Sequence, residues 1–241
     1  MKIWLSFCAS FCLAMSTLAS SPTPAADRAG VVVELFTSQG CSSCPAADAF
    51  LAELAKRPDV VALAFHVDYW DHLGWKDPYA QAAYSKRQRR YVAALGARYV
   101  YTPQMVVDGR FQDVGSDRRR IDLLLYQAAA ARQDAPTINL RGAELKIGAS
   151  TAPIADASIW VAYFTSARAN DVSSGENHGR HMATTNVVRA LQPLGPYDGK
   201  AATLVIDLAA APKDCDGVAV LIQQAGPGRI FAAHAFDLPP R

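Results

Sequence analysis

Net charge is nearly absent from this chain: 24 Lys and Arg face 22 Asp and Glu in 241 residues, a formal balance of +2. Nothing in that balance draws the protein to nucleic acid or to an anionic membrane surface. Two basic clusters, Lys86-Arg87-Gln88-Arg89-Arg90 and Arg118-Arg119-Arg120, fall in stretches that read as helix and are expected to be solvated helix faces. No internal repeat and no low-complexity tract is visible, which excludes a repeat array. Long apolar runs are missing too. The run Ile3 to Leu18 falls short of the roughly 20 residues that a membrane span needs.

That run follows Lys2 and ends in Ala19, Ser20 and Ser21 before Pro22-Thr23-Pro24. A basic start, an apolar middle and a small-residue exit make a secretory signal peptide, residues 1–25, cleaved between about Ala19 and Ala26. Cys8 and Cys12 lie inside it, each directly after a Phe (Phe7, Phe11), where lipid attachment needs a small residue. The mature chain is therefore expected in the periplasm or secreted, without stable membrane insertion. Cysteine is scarce there: of five in the chain, only Cys41, Cys44 and Cys215 remain. Disulfides persist in such compartments. Three thiols cannot all pair within one chain, so at least one is free or pairs elsewhere.

The composition that is present, 51% hydrophobic and 19% charged, is that of an ordinary globular protein. Val31 to Phe36 reads as a buried strand, and Cys44 to Lys56 as a helix with Pro45 in its first turn. Val60 to Val67 is a second strand. Asp77-Pro78 signals a helix start, with the helix running to about Leu95. Met105–Val107 and Arg110–Val114 form a hairpin about Asp108-Gly109, and Ser116 or Asp117 caps a helix to about Arg132. Beyond Pro136, seven short strand-like segments follow without a convincing helix. The expected organisation is an α+β or α/β domain at 28–135, then a β-rich, antiparallel, sandwich-like domain at 136–241.

Cys41-Ser42-Ser43-Cys44 sits where strand turns into helix. A helix N-terminus carries roughly half a positive charge and unpaired N–H groups, which favour thiolate over thiol. Closing so short a ring stabilises by only about 2 kcal/mol, against about 4.7 for a hundred-residue loop, so the bond suits exchange better than stapling. A passive disulfide or half of a zinc site are the other readings, but the remaining cysteine, Cys215, is far away in sequence.

Gly-Cys-Ser-Ser-Cys-Pro after Val31–Phe36, with Thr-Pro-Gln-Met-Val-Val-Asp-Gly at 102–109, resembles thioredoxin, glutaredoxin and the periplasmic disulfide oxidoreductases. The segments ELFTSQGCSSCPAAD, HVDYWDHLGWKDPYA, YTPQMVVDG, GENHGR and TNVVRAL are similar to an exported bacterial thioredoxin-like family of unknown function. The resemblance implies a thioredoxin-like first domain, with Cys41 as nucleophile and Cys44 as buried resolving thiol. It implies a cis bond before Pro103, against the cysteines, and Thr102 as the residue whose backbone pairs with substrate. Glu34 takes the place of the buried strand acid that accepts a proton from the resolving thiol, although it lies one residue further from Cys41 than is usual. From its residues alone Glu34 also fits a solvent-facing strand edge.

His66, Asp68, Asp71 and His72, beside Tyr69, Trp70 and Trp75, are expected to form a structural loop near the cysteines rather than a metal site. His178 and His181 are expected to be exposed, and Cys215 to be a buried half-strand residue rather than a third redox thiol, with a pKa raised by Asp214 and Asp216 if they lie close. The expected function is thiol–disulfide exchange on exported protein thiols or disulfides, with no cofactor and no metal. Two alternatives remain: a copper chaperone using Cys41 and Cys44 with His66 or Met105, and a non-enzymatic interaction module. Methionine, at four residues, is sparse for copper.

Overall fold

The computed structural model describes Met1 and residues 28–132 and 135–239; the signal segment, with Cys8 and Cys12, lies outside the described residues. The chain is mixed α/β, with one large sheet, one small sheet and three α-helices among the described residues. In order come β1 (Arg28–Ala29), β2 (Val31–Thr37), α1 (Pro45–Leu54), β3 (Val60–His66), α2 (Ala82–Ala94), β4 (Gln104–Val107), β5 (Phe111–Val114) and α3 (Arg118–Ala130). Then follow β6 (Ile138–Arg141), β7 (Glu144–Ile147), β8 (Ala157–Asp171), β9 (His181–Tyr197), β10 (Ala202–Val205), β11 (Gly217–Gln224) and β12 (Ile230–Asp237). No described helix is long and apolar enough to cross a membrane.

The large sheet runs β1-β12-β11-β8-β9-β3-β2-β4-β5, and the small one β10-β7-β6. β2 and β3 are parallel, while β4 and β5 add antiparallel beside β2. The early and late parts of the chain thus share one sheet. They meet where β9 joins β3 in parallel at Ala64 and Val187. Asn186 reinforces that joint, its Nδ2 donating to the Ala62 carbonyl at 2.9 Å.

Alternation along the strands sorts side chains into three cores. Val31, Val33 and Leu35 face α1 and α3, with Phe50, Leu51 and Leu125. Val32 and Phe36 face the other way, toward Tyr84 and Tyr91 of α2 and Ala162 and Leu221 of the later strands. The small sheet covers the opposite face of β8 and β11 with Leu145 and Ile147.

Local signals hold at several points. Asp108 and Gly109 both have positive φ, 49° and 63°, as a two-residue hairpin turn demands. The Asp117 side chain accepts from Arg120 N and caps α3. The helix expected from Asp77 starts instead at Ala82, after an extended Gln81. Asp77 is drawn into long-range bonds and does not cap it.

Across the second core, Arg87 of α2 grips Glu34 of β2, with Nε–Oε2 at 3.0 Å and Nη2–Oε1 at 2.6 Å. The same Nη2 reaches Tyr91 Oη at 3.1 Å and Gln223 Oε1 of β11 at 2.9 Å. Burial opposes the Arg87 charge, but Glu34 more than offsets it and the guanidinium is held above its usual range. Removing one partner of such a buried pair strands the other charge. Arg87→Leu should therefore lower the unfolding free energy by about 3–5 kcal/mol in urea titrations, and adding Glu34→Leu should recover much of that loss. A single-variant loss below about 1 kcal/mol would show that the pair does not tie the two parts together.

Candidate functional site

β2 ends at Thr37 and α1 begins at Pro45, and the loop between them is bound tightly to itself. Gly40 N donates to Ser38 Oγ at 3.0 Å and Cys41 N to the Ser38 carbonyl at 3.1 Å. Cys44 N donates to the Cys41 carbonyl at 3.2 Å, which folds the two cysteines together. They form a disulfide across a sequence separation of 3, with Cα atoms 5.5 Å apart. Cys44 occupies the N-cap of α1 in helical geometry without a side-chain cap bond, and Pro45 follows at the helix start. Both cysteines are buried, Cys41 at 1% exposure and Cys44 at 0%, whereas Ser42 and Ser43 face solvent.

Thr102–Pro103 is cis. Ser43 Oγ donates to the Thr102 carbonyl at 3.4 Å and lies 3.3 Å from Cys41 Sγ, so Thr102 stands beside the pair. Trp70 Nε1 donates to Thr102 Oγ1 at 2.8 Å, bringing the 66–72 segment to the site as a packing loop. Among the described residues no three His, Cys, Asp or Glu side chains gather as metal ligands.

Two residues from the loop between β8 and β9, neighbours of the histidines in the same polar run, complete the enclosure. Asn177 Nδ2 donates to the carbonyls of Gln39 and Cys41, each at 2.9 Å. Glu176 Oε2 accepts from Ser42 N at 3.1 Å. His178 and His181 are exposed, and His181 pairs with Asp171 at 2.7 Å. The polar run GENHGR was the available signal, but nothing in it named its contact.

Glu34 is not near the disulfide. Val33 and Leu35 point to α1, so Glu34 points to α2, where Arg87 holds it. At 0% exposure it does not sit at a solvent edge either. Besides Glu176, which is exposed, the acid on the cysteine side of the sheet is Asp48 of α1, at 7% exposure. Burial raises its pKa to about 6, with His66 and the Thr37 hydroxyl pulling partly the other way. His66 Nδ1 meets Asp77 Oδ2 at 2.7 Å, and that oxygen also accepts from Gln39 N at 2.7 Å. Burial works against the charge on both partners. Their mutual attraction more than compensates, raising His66 and lowering Asp77, which favours the charged form of each. His66 is thus committed to Asp77, while Met105 lies buried under α1 and α3 in the first core.

Cys215 is a buried free thiol in the turn before β11, where its N–H returns to the Pro212 carbonyl; it does not stand in a strand. Burial, then Asp214, push its pKa up to about 11. It takes no part in the site.

The geometry can be set beside known proteins. The crystal structure of protein AGR_C_4864 from Agrobacterium tumefaciens is similar over 86% of this chain and 93% of that one, at 37% identity and TM-score 0.73. HBP35 of Porphyromonas gingivalis is similar over 88% of this chain and 76% of that one, at 13% identity and TM-score 0.59, a likeness of fold alone. No curated protein matches the chain. One family matches residues 32–223, a span that takes in Cys41, Cys44, Thr102, Pro103, Glu176 and Asn177. The chain belongs to that family, described as protein of unknown function (DUF1223).

Proposed function

We propose that this protein is a thiol–disulfide oxidoreductase acting on exported proteins through Cys41 and Cys44, within a thioredoxin-like first portion followed by a β-rich one. The observation that carries the reading is the short disulfide at the N-terminus of α1, where the helix favours thiolate. The order β2-α1-β3-α2-β4-β5-α3, with β2 and β3 parallel and β4 and β5 antiparallel, supports the thioredoxin-like assignment. Thr102 beside Ser43 supports a substrate strand passing at that edge. In the reducing direction the Cys41 thiolate attacks a substrate disulfide and one substrate sulfur leaves as thiolate. Cys44 then attacks Cys41 Sγ and releases the second sulfur, so two electrons pass from the protein dithiol to the substrate. The oxidising direction reverses these steps.

A dithiol that works this way traps partners unequally. In a periplasmic host, Cys44→Ala should accumulate mixed disulfides through Cys41, visible as reducible high-mass bands, and Cys41→Ala should accumulate none. Absence of adducts from both variants, with equal slow alkylation of the two thiols, would end the exchange reading.

Access is the second constraint, because a disulfide with 1% exposure at its outer cysteine must be uncovered before it is attacked. Asn177 makes two bonds to the loop that carries Cys41, so its removal should release the cover. Asn177→Ala should speed reduction of the disulfide by a small thiol roughly tenfold, as local opening becomes easier by about 1–3 kcal/mol. An unchanged reduction rate would show that the Glu176–Asn177 contacts do not control access.

A further inference from the structure

A thiol that resolves a mixed disulfide must first lose its proton, since the thiolate is the attacking species. Cys44 is wholly buried, and burial disfavours the charged form, so a nearby protein base assists the step alongside the helix N-terminus. Glu34 is excluded by its face of the sheet. Asp48 follows Cys44 by one helical turn, on the same face of α1, and its N–H donates to the Cys44 carbonyl at 3.1 Å.

We propose that Asp48 takes the Cys44 proton during resolution, and that the buried His66–Asp77 pair holds Asp48 ready to do so. This rests on the exchange function above. The charged and polar groups around Asp48 come from every neighbouring element. Thr37 of β2 lies beside it, with its side chain fully buried and its hydroxyl acting on the Asp48 carboxylate. His66 of β3, at 1% exposure, has a buried Nε2 without a hydrogen-bond partner. Asp77 stands behind His66, and the Arg189 charge also acts on that imidazole. Arg180 and His181 line a groove of about 430 Å³ along α1 that reaches Asp48 past Pro45 and Ala49. A carboxylate so enclosed, with a pKa of about 6, is poised for proton transfer near neutral pH.

The balance of the step is simple. The Cys44 S–H bond breaks and its proton passes to the Asp48 carboxylate. The Cys44 thiolate attacks Cys41 Sγ, and the bond from Cys41 to the substrate sulfur breaks. That sulfur leaves with the electron pair, and a substrate protein disulfide is the oxidant overall. Asp48 then returns its proton to solvent through the groove. His66 and Asp77 are positioning residues, since they act through Asp48.

The test uses the reduced full chain and an aromatic disulfide, dithiobis-nitrobenzoate, followed by stopped-flow absorbance. Attack by Cys41 releases one coloured thiolate and resolution by Cys44 a second. In the wild type the second phase should accelerate as pH rises through about 6, where Asp48 ionises. Asp48→Asn should lose this limb and slow the second phase at least about tenfold at pH 7, while the first phase stays within about twofold. Asp48→Glu should restore part of the rate. His66→Gln should move the midpoint upward, because a cation that lowers the Asp48 pKa is gone, and a merely structural role would leave the midpoint in place. A normal first phase with an unchanged second phase in Asp48→Asn overturns the proton acceptor alone. Absence of both phases in the reduced wild type overturns the exchange function and this inference with it.

Discussion

The carboxylate of Asp77 is the point on which the site is hung. One of its oxygens accepts from the backbone of Gln39 and from the His66 ring, and the other from the backbone of Tyr79. Those bonds join the cysteine loop, the end of β3 and the approach to α2 at a single buried anion. Buried charges persist only when paired and hydrogen-bonded, and here the pairing also favours the charged form of His66. With His66 drawn toward its charged form, His66 and Asp77 both act on Asp48 and form a polar floor to the cysteine loop. The same carboxylate is unavailable to α2, which begins after it.

Around that floor the chain closes from both ends. Trp75 Nε1 donates to Gln39 Oε1 at 3.1 Å, and Gln39 Nε2 reaches Asn170 Oδ1 at 3.2 Å. Tyr79 Oη donates to the same Asn170 oxygen at 2.6 Å. That end of the β8–β9 hairpin is therefore fastened beside the cysteines by a set of side-chain hydrogen bonds. Such bonds are individually modest, about 1 kcal/mol each, but directional. They fix position without demanding a large dry interface. The apolar joining is done elsewhere, by α2, whose Tyr84 and Tyr91 fill the core common to the early and late strands.

Much of this was legible because it is local. The strand Val31–Thr37, the cysteine-bearing turn and the helix Pro45–Leu54 follow from β-branched residues, a turn cluster and a proline at the helix start. The face of Glu34 was not legible. Every residue of β2 is buried, so the strand carries no polar alternation from which to tell one side of the sheet from the other. The length of β8 and β9 was not legible: beyond Phe164, β8 carries mostly exposed polar residues, and β9 continues to Tyr197 through Pro193, Gly195 and Pro196. Asp77 looked like a helix cap because Asp-Pro is one locally, and only contacts far along the chain redirect it. Glu176 and Asn177 had no local signature at all, since a loop residue that bonds a distant backbone leaves no period.

The hairpin's reach has a consequence for timing. Asn177 is 136 residues beyond the carbonyl of Cys41 that it holds. Synthesis runs from the N-terminus at roughly 5–20 residues per second, so the cover arrives on the order of ten seconds after the cysteines have left the ribosome. For that interval the two cysteines lack the contacts that Asn177 later makes to their loop. The nascent chain therefore lacks a cover that the finished molecule has, and the late hairpin is what supplies it.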